Sequence, residues 1–193
     1  MKVLSLVLPP EPIGFVFLGD IQWCGESSGN TAVGPLRRII DRIREENLKV
    51  IGMGDYTDFL SPSNRTRLMS SNLYDTALRT IDDMGQYLVN DLFDSILWPT
   101  VGHWIGLLEG HHFHQLTTGK TTDMLLVEQL QSTFLGSSAV IKLVFKRKQH
   151  SASYTIWVHH GVGNGQTGYY PLARLEKVSA QWEGIDTFAI GHT

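Results

Sequence analysis

The sequence is short of cysteine, of net positive charge and of long apolar runs. Cys24 is the sole cysteine, so neither an intrachain disulfide nor a paired-cysteine zinc site can form, and any metal must be held by histidine and carboxylate. Sixteen basic against nineteen acidic residues exclude a protein that binds nucleic acid by charge alone. The apolar run at residues 3–8 is too short for a membrane span or a signal peptide. We therefore expect a soluble protein of a reducing compartment, the cytoplasm.

The chain has 193 residues, of which 42% are apolar, and this predicts one domain over residues 1–193. Residues 14–20 and 49–55 each form a short apolar run that ends in Gly-Asp, a pattern typical of a buried strand. Between them, apolar residues recur at helical spacing over residues 35–46. Strand, helix and strand form a βαβ unit, whose parallel strands bring Asp20 and Asp55 to the same edge of a sheet.

Histidine is the residue type that stands out, because the chain contains eight. Three further predicted strands, at residues 104–109, 153–158 and 185–190, run into histidine beside glycine. Five predicted strands therefore finish in potential metal ligands: Asp20, Asp55, His111, His159 and His192. Each alone is more often a turn, cap or hydrogen-bonded structural residue. Together they predict a metal site, because ligands bind beyond the carboxyl ends of the strands in open α/β sheets.

The order of these segments resembles a known family. They read Gly19-Asp-Ile-Gln22, Gly54-Asp-Tyr-Thr-Asp58, Gly110-His-His112, His159-His160-Gly161 and Gly191-His192-Thr193. The chain resembles the calcineurin-like metallophosphoesterases from residue 14 to its last residue. The resemblance implies an α/β fold, a four-layer α/β/β/α sandwich, with a two-metal site at the strand ends. It also implies that the chain is C-terminally truncated, because the family's last strands would follow Thr193.

The resemblance assigns a role to each matching residue. It implies a first divalent metal on Asp20, Gln22 and Asp55, and a second on Asp55, His111, His159 and His192. Mixed nitrogen and oxygen ligands favour manganese, iron or zinc. His112 would protonate or stabilise the leaving oxygen, and Asp58 would orient it.

Three departures from the family pattern all concern the metal ligands. Gln22 stands where histidine is usual, His111 replaces an asparagine, and the second histidine of the last segment would lie beyond Thr193. The second metal site keeps strong ligands, while the first loses them. We therefore expect the Asp20/Gln22 site to be weaker or empty.

The resemblance implies a phosphoesterase that hydrolyses a phosphodiester or phosphomonoester by attack of a metal-bound hydroxide. A nucleotide or nucleic-acid substrate is favoured, because Phe59-Leu60 follow the second segment in place of the Arg-Gly of protein phosphatases. A protein phosphatase and a catalytically impaired one-metal binding or assembly module remain as alternatives. Asn64 and Arg65 either bind the phosphate or belong to a turn that caps the next helix.

Overall fold

The computed structural model describes residues 1–26, 31–162 and 169–192. Its strands are β1 (Lys2–Leu8), β2 (Phe15–Leu18), β3 (Lys49–Gly52), β4 (Trp104–Leu108), β5 (Phe134–Gly136), β6 (Ser138–Arg147), β7 (His150–His159) and β8 (Thr187–Ile190). Its α-helices are α1 (Val33–Glu45), α2 (Pro62–Ser70), α3 (Asp75–Leu92), α4 (Thr122–Gln129) and α5 (Tyr170–Ser179). The predicted α/β class is confirmed by this mixture of helices with parallel and mixed sheets.

The strands form two sheets of four. One sheet has the order β2-β3-β4-β5 and is entirely parallel. The other has the order β1-β6-β7-β8, in which only the β6–β7 hairpin is antiparallel. The predicted βαβ unit is present as β2-α1-β3. Apolar runs at residues 139–148 and 153–158, joined by a short polar connection, also predict a hairpin, and it is present as β6-β7. In both units the local apolar pattern was sufficient to identify the elements.

The hydrophobic core lies in two layers. Between the two sheets, Ile51 and Leu108 of the parallel sheet pack with Ile141 and Val158 of the mixed sheet. On the other face of the parallel sheet, a second core joins the strands to α1, α3 and α4 through Ile40, Ile43, Val50, Leu92, Leu107 and Leu126. Each such side chain contributes about 1.5–3 kcal/mol when it is fully buried. The parallel sheet is thus covered on both faces, as parallel sheets require.

Helix α1 shows how the sequence pattern produces this packing. Leu36, Ile40 and Ile43 fall on one face and are buried, while the charged residues between them face solvent. Pro35 lies in the first turn, where its missing N–H has no intrahelical partner to lose. The helix therefore orients its apolar stripe towards the core on the outer face of the parallel sheet.

The spacing predicts helix over residues 66–97, with Gly85 as a point where it could bend or divide, and in the structure the break lies at residues 71–74 instead. Ser61 caps α2 by accepting the N–H of Asn64, and α2 ends at Ser70 with an extended residue after it. Helix α3 then runs to Leu92 and continues as a π-helical turn over residues 93–97. No residue of α2 is buried, so core packing does not hold it in line with α3. Among the described residues, no helix is both long and apolar enough to cross a membrane.

Candidate metal centre

Four side chains of the metal-binding types meet where the two sheets end. Asp55 follows β3, His111 follows β4, His160 follows β7 and His192 follows β8. One ligand atom of each lies within 4.8 Å of the ligand atoms of the other three. Asp55 and His160 are buried, and His111 and His192 are partly exposed. This buried Asp/His cluster could hold a metal ion.

Asp55 occupies the centre of the cluster because its backbone turns sharply. Gly54 has φ +97° and Asp55 has φ +53°, so two successive residues adopt left-handed backbone after β3. A Cβ on Gly54 would lie 2.5 Å from His160 Nδ1 and 2.8 Å from the Gly110 Cα, which only glycine permits. The Asp55 side chain is thereby brought under the loop that carries His111.

The two oxygens of Asp55 have different surroundings. Oδ1 accepts the N–H of His111 and, at 3.0 Å, the N–H of His112. Oδ2 is buried and has no hydrogen-bond partner within the part of the chain that the structure describes. It lies 3.0 Å from His192 Nδ1, an ion-pair distance, but not along a hydrogen-bonding direction. Oδ1 therefore fixes the loop, and Oδ2 keeps lone pairs for a cation.

His160 has the same division between its two ring nitrogens. Nδ1 lies 2.6 Å from the Met53 carbonyl oxygen, which assigns the ring proton to Nδ1 in the neutral ring. Nε2 is buried and lies 3.4 Å from Asp55 Oδ1, and residues 1–26, 31–162 and 169–192 offer it no hydrogen-bond partner. Two buried, unpartnered ligand atoms in one cluster are uncommon in a folded protein. A cation would satisfy both, so the residues present fit a metal ion.

The protonation tendencies of the cluster agree with this fit. Burial alone would raise the pKa of Asp55, but His160 and the N–H groups of His111 and His112 outweigh it and hold that pKa well below its usual range. Burial, together with His160, lowers the pKa of His111. Burial would lower the pKa of His160 too, but Asp55 and the Met53 carbonyl raise it. A proton therefore competes with a cation at His160, and metal binding would release it.

His192 lies at ion-pair distance from both aspartates predicted as metal ligands, Asp20 and Asp55. Its Nδ1 lies 3.2 Å from Asp20 Oδ1, and its backbone N–H donates to Asp20 Oδ2 at 3.1 Å. Its ring stacks on that of His160 at 4.9 Å and meets the ring of His111 edge-on at the same distance. Asp20 thus contacts one member of the cluster from outside it.

Asp20 and Gln22 are positioned by backbone pairing that continues past β2 and β3. The N–H of Asp20 donates to the Gly54 carbonyl at 2.9 Å, and that of Gln22 to the Asp55 carbonyl at 3.0 Å. Left-handed backbone is found at four of the predicted ligand residues, namely Asp20, Gln22, Asp55 and His192. Such conformations cost about 1–3 kcal/mol each and concentrate at functional sites.

The structure corrects one predicted ligand, since His160 and not His159 joins the cluster. Ile156 and Val158 face the core between the sheets, and alternation along the strand puts His160 on that same side. His159 points to the opposite face, where it stacks on Trp157 at 5.6 Å. Its Nδ1 accepts the N–H of Gly161 at 2.7 Å, outside the four-residue cluster.

The structure brings His112 and Asp58 together. His112 Nδ1 lies 2.8 Å from Asp58 Oδ1, and the backbone N–H of His112 is one of the two held by Asp55. The His112 side chain is 24% exposed, which leaves it within reach of a bound molecule. The geometry is that of a carboxylate that fixes a histidine tautomer.

The two residues predicted to contact phosphate have other contacts. Arg65 Nη1 donates to the carbonyl oxygens of Leu60, His111 and, at 3.0 Å, Phe113. Its guanidinium carbon lies 3.9 Å above the Phe113 ring. Asn64 is exposed, and its backbone N–H donates to the Ser61 hydroxyl. Asn64 therefore belongs to the cap of α2, as the second of the two predicted roles has it. Arg65 holds the loop between residues 111 and 113.

Comparisons with protein-family models, with curated proteins and with solved structures find no match to this chain. Its function must therefore be inferred from the site.

The observed end of β7 separates His160 from His159, whereas the strand predicted over residues 153–158 left both histidines beyond its end. Asp20, Asp55, His111 and His192 all lie two or three residues beyond the end of their strand, whereas His159 is the last residue of β7. A ligand beyond the strand end is the common feature, and it selects His160. Asp123, discussed below, had no such signal, because an aspartate in the first turn of a helix is usually read as a helix-stabilising residue.

Proposed function

We propose that this protein is a metal-dependent phosphoesterase whose cation is held by Asp55, His111, His160 and His192. One observation carries the proposal: four residues from four strand ends each offer a ligand atom within 4.8 Å of the others, and Asp55 Oδ2 and His160 Nε2 are buried with no hydrogen-bond partner among the described residues. Clusters of this kind cost stability unless something binds them.

The donor set supports a transition metal. Three imidazoles and one carboxylate suit manganese, iron or zinc better than magnesium or calcium, which prefer oxygen. When bound, such a cation supplies positive charge for phosphate oxygens and lowers the pKa of a coordinated water. Asp55 Oδ1 is already occupied by two N–H groups, so Oδ2 is the oxygen that would hold the cation.

His112 supports hydrolysis over simple metal storage. It lies beside the cluster, is partly exposed and is oriented by Asp58. A histidine held this way can carry a proton on Nε2, and we assign it the protonation of the leaving oxygen. Asp58 stabilises the charged ring and fixes its orientation.

The layered architecture supports the resemblance to the calcineurin-like metallophosphoesterases. Two sheets pack face to face, with α1, α3 and α4 outside the parallel sheet and α5 against β8 of the mixed sheet. This arrangement supports the proposal of a four-layer α/β/β/α sandwich. The four-residue cluster corresponds to the second metal of that family, with His160 in the place expected for His159.

We propose that the Asp20/Gln22 side of the centre binds a second cation weakly or not at all. Both oxygens of Asp20 face His192, one towards its N–H and the other towards Nδ1. Gln22 offers only a neutral amide oxygen, which is a weaker ligand than imidazole. The proposed substrate is a phosphate ester, a nucleotide or nucleic acid in preference to a phosphoprotein, because Phe59-Leu60 replace the Arg-Gly of protein phosphatases.

The test combines metal content with turnover. The protein is loaded with Mn²⁺, Fe²⁺ or Zn²⁺, desalted and analysed for bound metal, and then assayed with bis-p-nitrophenyl phosphate and p-nitrophenyl phosphate. We expect about one tightly held ion per chain and metal-dependent hydrolysis, with preference for the diester. The matched control is Asp55→Asn, which preserves shape but not charge. No bound metal, or equal hydrolysis by wild type and control, would contradict the proposal.

A second candidate is a binding or assembly module that holds one metal without turnover. The engagement of Asp20 by His192 favours it, because it weakens the side on which the family binds its first cation. The same assay separates the two candidates. Stoichiometric metal with no hydrolysis of any ester, with each metal tried, selects the module.

A further inference from the structure

The loop that follows β4 carries both a proposed ligand, His111, and the proposed acid, His112. Its three successive N–H groups all donate to carboxylates. Those of His111 and His112 go to Asp55 Oδ1, and that of Gly110 goes to Asp123 Oδ2 at 2.8 Å. The position of this loop is therefore set by two carboxyl groups from different elements.

Asp123 is a buried acid that has no part in the four-residue cluster. It lies in the first turn of α4 and is only 2% exposed. Burial raises its pKa to about 7, although the Gly110 N–H works in the opposite direction. Placing a carboxyl group here costs stability, because a fully buried acid loses its hydration. The Asp123 carboxyl group accepts a hydrogen bond from the Gly110 N–H, which offsets part of this cost.

Gly110 is held between the two carboxyl groups with no spare room. A Cβ on Gly110 would lie 2.1 Å from the Asp55 nitrogen and 2.2 Å from Asp55 Oδ1. The loop cannot move towards Asp55, and the bond to Asp123 stops it from moving away. Arg65 adds a third restraint by donating to the carbonyl oxygens of His111 and Phe113.

We propose that Asp123 is a positioning residue of the metal centre, which fixes His111 and His112 by holding the Gly110 N–H from the core side. This inference rests on the proposed function, since it requires that the cluster bind a cation. Ligand distances in metal sites are held to about 0.2 Å. Removal of outer hydrogen-bond partners of ligands costs about 10–100-fold in metal affinity.

The test compares a variant that keeps a hydrogen-bond acceptor for the Gly110 N–H with two variants that remove it. Asp123→Asn retains an oxygen that can accept the Gly110 N–H, whereas Asp123→Leu has similar size and no acceptor. Asp123→Ser is the second removing variant, because its hydroxyl is too short to reach Gly110 and it leaves more room. The control is Thr100→Val, which removes a buried 2.8 Å bond to Trp104 at the opposite end of β4.

Co²⁺ affinity is measured by competition with a chelator, the visible spectrum of the bound Co²⁺ is recorded, and the unfolding midpoint of each metal-free variant is determined. We expect Asp123→Leu and Asp123→Ser to lose about 10–100-fold in affinity and to change the spectrum. Asp123→Asn should stay within about threefold of wild type. Thr100→Val should lower the midpoint and leave the affinity and spectrum unchanged.

Each other outcome contradicts the inference. If Asp123→Leu or Asp123→Ser folds and binds Co²⁺ with the wild-type affinity, Asp123 does not position the site. If Thr100→Val loses affinity in proportion to its midpoint, the effect is general stability. If Asp123→Asn fails as badly as Asp123→Leu, the acceptor is not what matters. Wild type that binds no Co²⁺ refutes the proposed metal site itself, and is recognised before any variant is compared.

Discussion

Gly110→Ala is the substitution that tests the geometry of the centre most directly. A Cβ at position 110 would lie 2.1 Å from the Asp55 nitrogen and 2.2 Å from its Oδ1. Non-bonded heavy atoms prefer about 3.5 Å, so the loop and Asp55 must separate by about 1.4 Å. The obstacle includes backbone, so no side-chain rotation relieves it. That movement takes the 3.0 Å contact between His112 N and Asp55 Oδ1 out of hydrogen-bonding range.

The expected result is loss of the centre with a smaller loss of stability. Overpacking costs about 1–3 kcal/mol in the free energy of unfolding. A misplacement of about 1 Å reduces turnover about 100-fold or more. Bound metal after desalting, diester hydrolysis and the unfolding midpoint are measured together. Gly119→Ala is the matched control, because that glycine has φ +87° and open space around its missing Cβ. It should cost about 1 kcal/mol of stability and leave metal binding intact.

Wild-type metal content and turnover in Gly110→Ala would refute the packing of Gly110 against Asp55. Equal loss of metal in Gly110→Ala and Gly119→Ala would show instead that general destabilisation empties the site.

Four further results follow from the structure. Asp55→Asn should abolish metal binding and hydrolysis together in a protein that still unfolds cooperatively. His160→Ala should lose the metal and His159→Ala should retain it, as measured by metal content; the reverse would restore the sequence-based assignment. His112→Ala should slow diester turnover by about 10²–10⁴-fold with metal still bound. Burial raises the pKa of Asp123 to about 7 in the folded protein. Between about pH 4 and 7 the Asp123 carboxyl group is therefore protonated in the folded state and ionised in the unfolded state. The free energy of unfolding of the wild type should fall as pH rises through this range. Metal-free Asp123→Asn should lack this fall in denaturant titrations, and parallel pH profiles would contradict the assignment.

The sequence predicts the elements whose patterns are local. The β2-α1-β3 unit can be predicted because its apolar residues recur with the period of each strand or helix. Strand β1 was not predicted as a strand. Its position in the sheet depends on parallel pairing with β6, about 137 residues further along the chain, and this pairing leaves no local pattern. The apolar run at residues 3–8 looks the same whether or not that partner exists.

The site was predictable to the level of strand ends and not to the level of side-chain direction. Of the five predicted strand-end residues, Asp55, His111 and His192 lie in the four-residue cluster and Asp20 contacts His192 from outside it. The choice between His159 and His160 depended on where β7 ends, and a strand boundary is uncertain by a residue or more from sequence alone. Arg65 could not be assigned either, because its three carbonyl partners come from two separate loops.

The backbone pairing beyond β2 and β3 has a consequence for position 22. Position 22 is held next to Asp55 through its main chain, with its N–H on the Asp55 carbonyl and its own carbonyl accepting from the Thr31 hydroxyl. Neither bond uses the Gln22 side chain. An exchange of the side chain at position 22, amide for imidazole or the reverse, would therefore leave both of these backbone bonds in place.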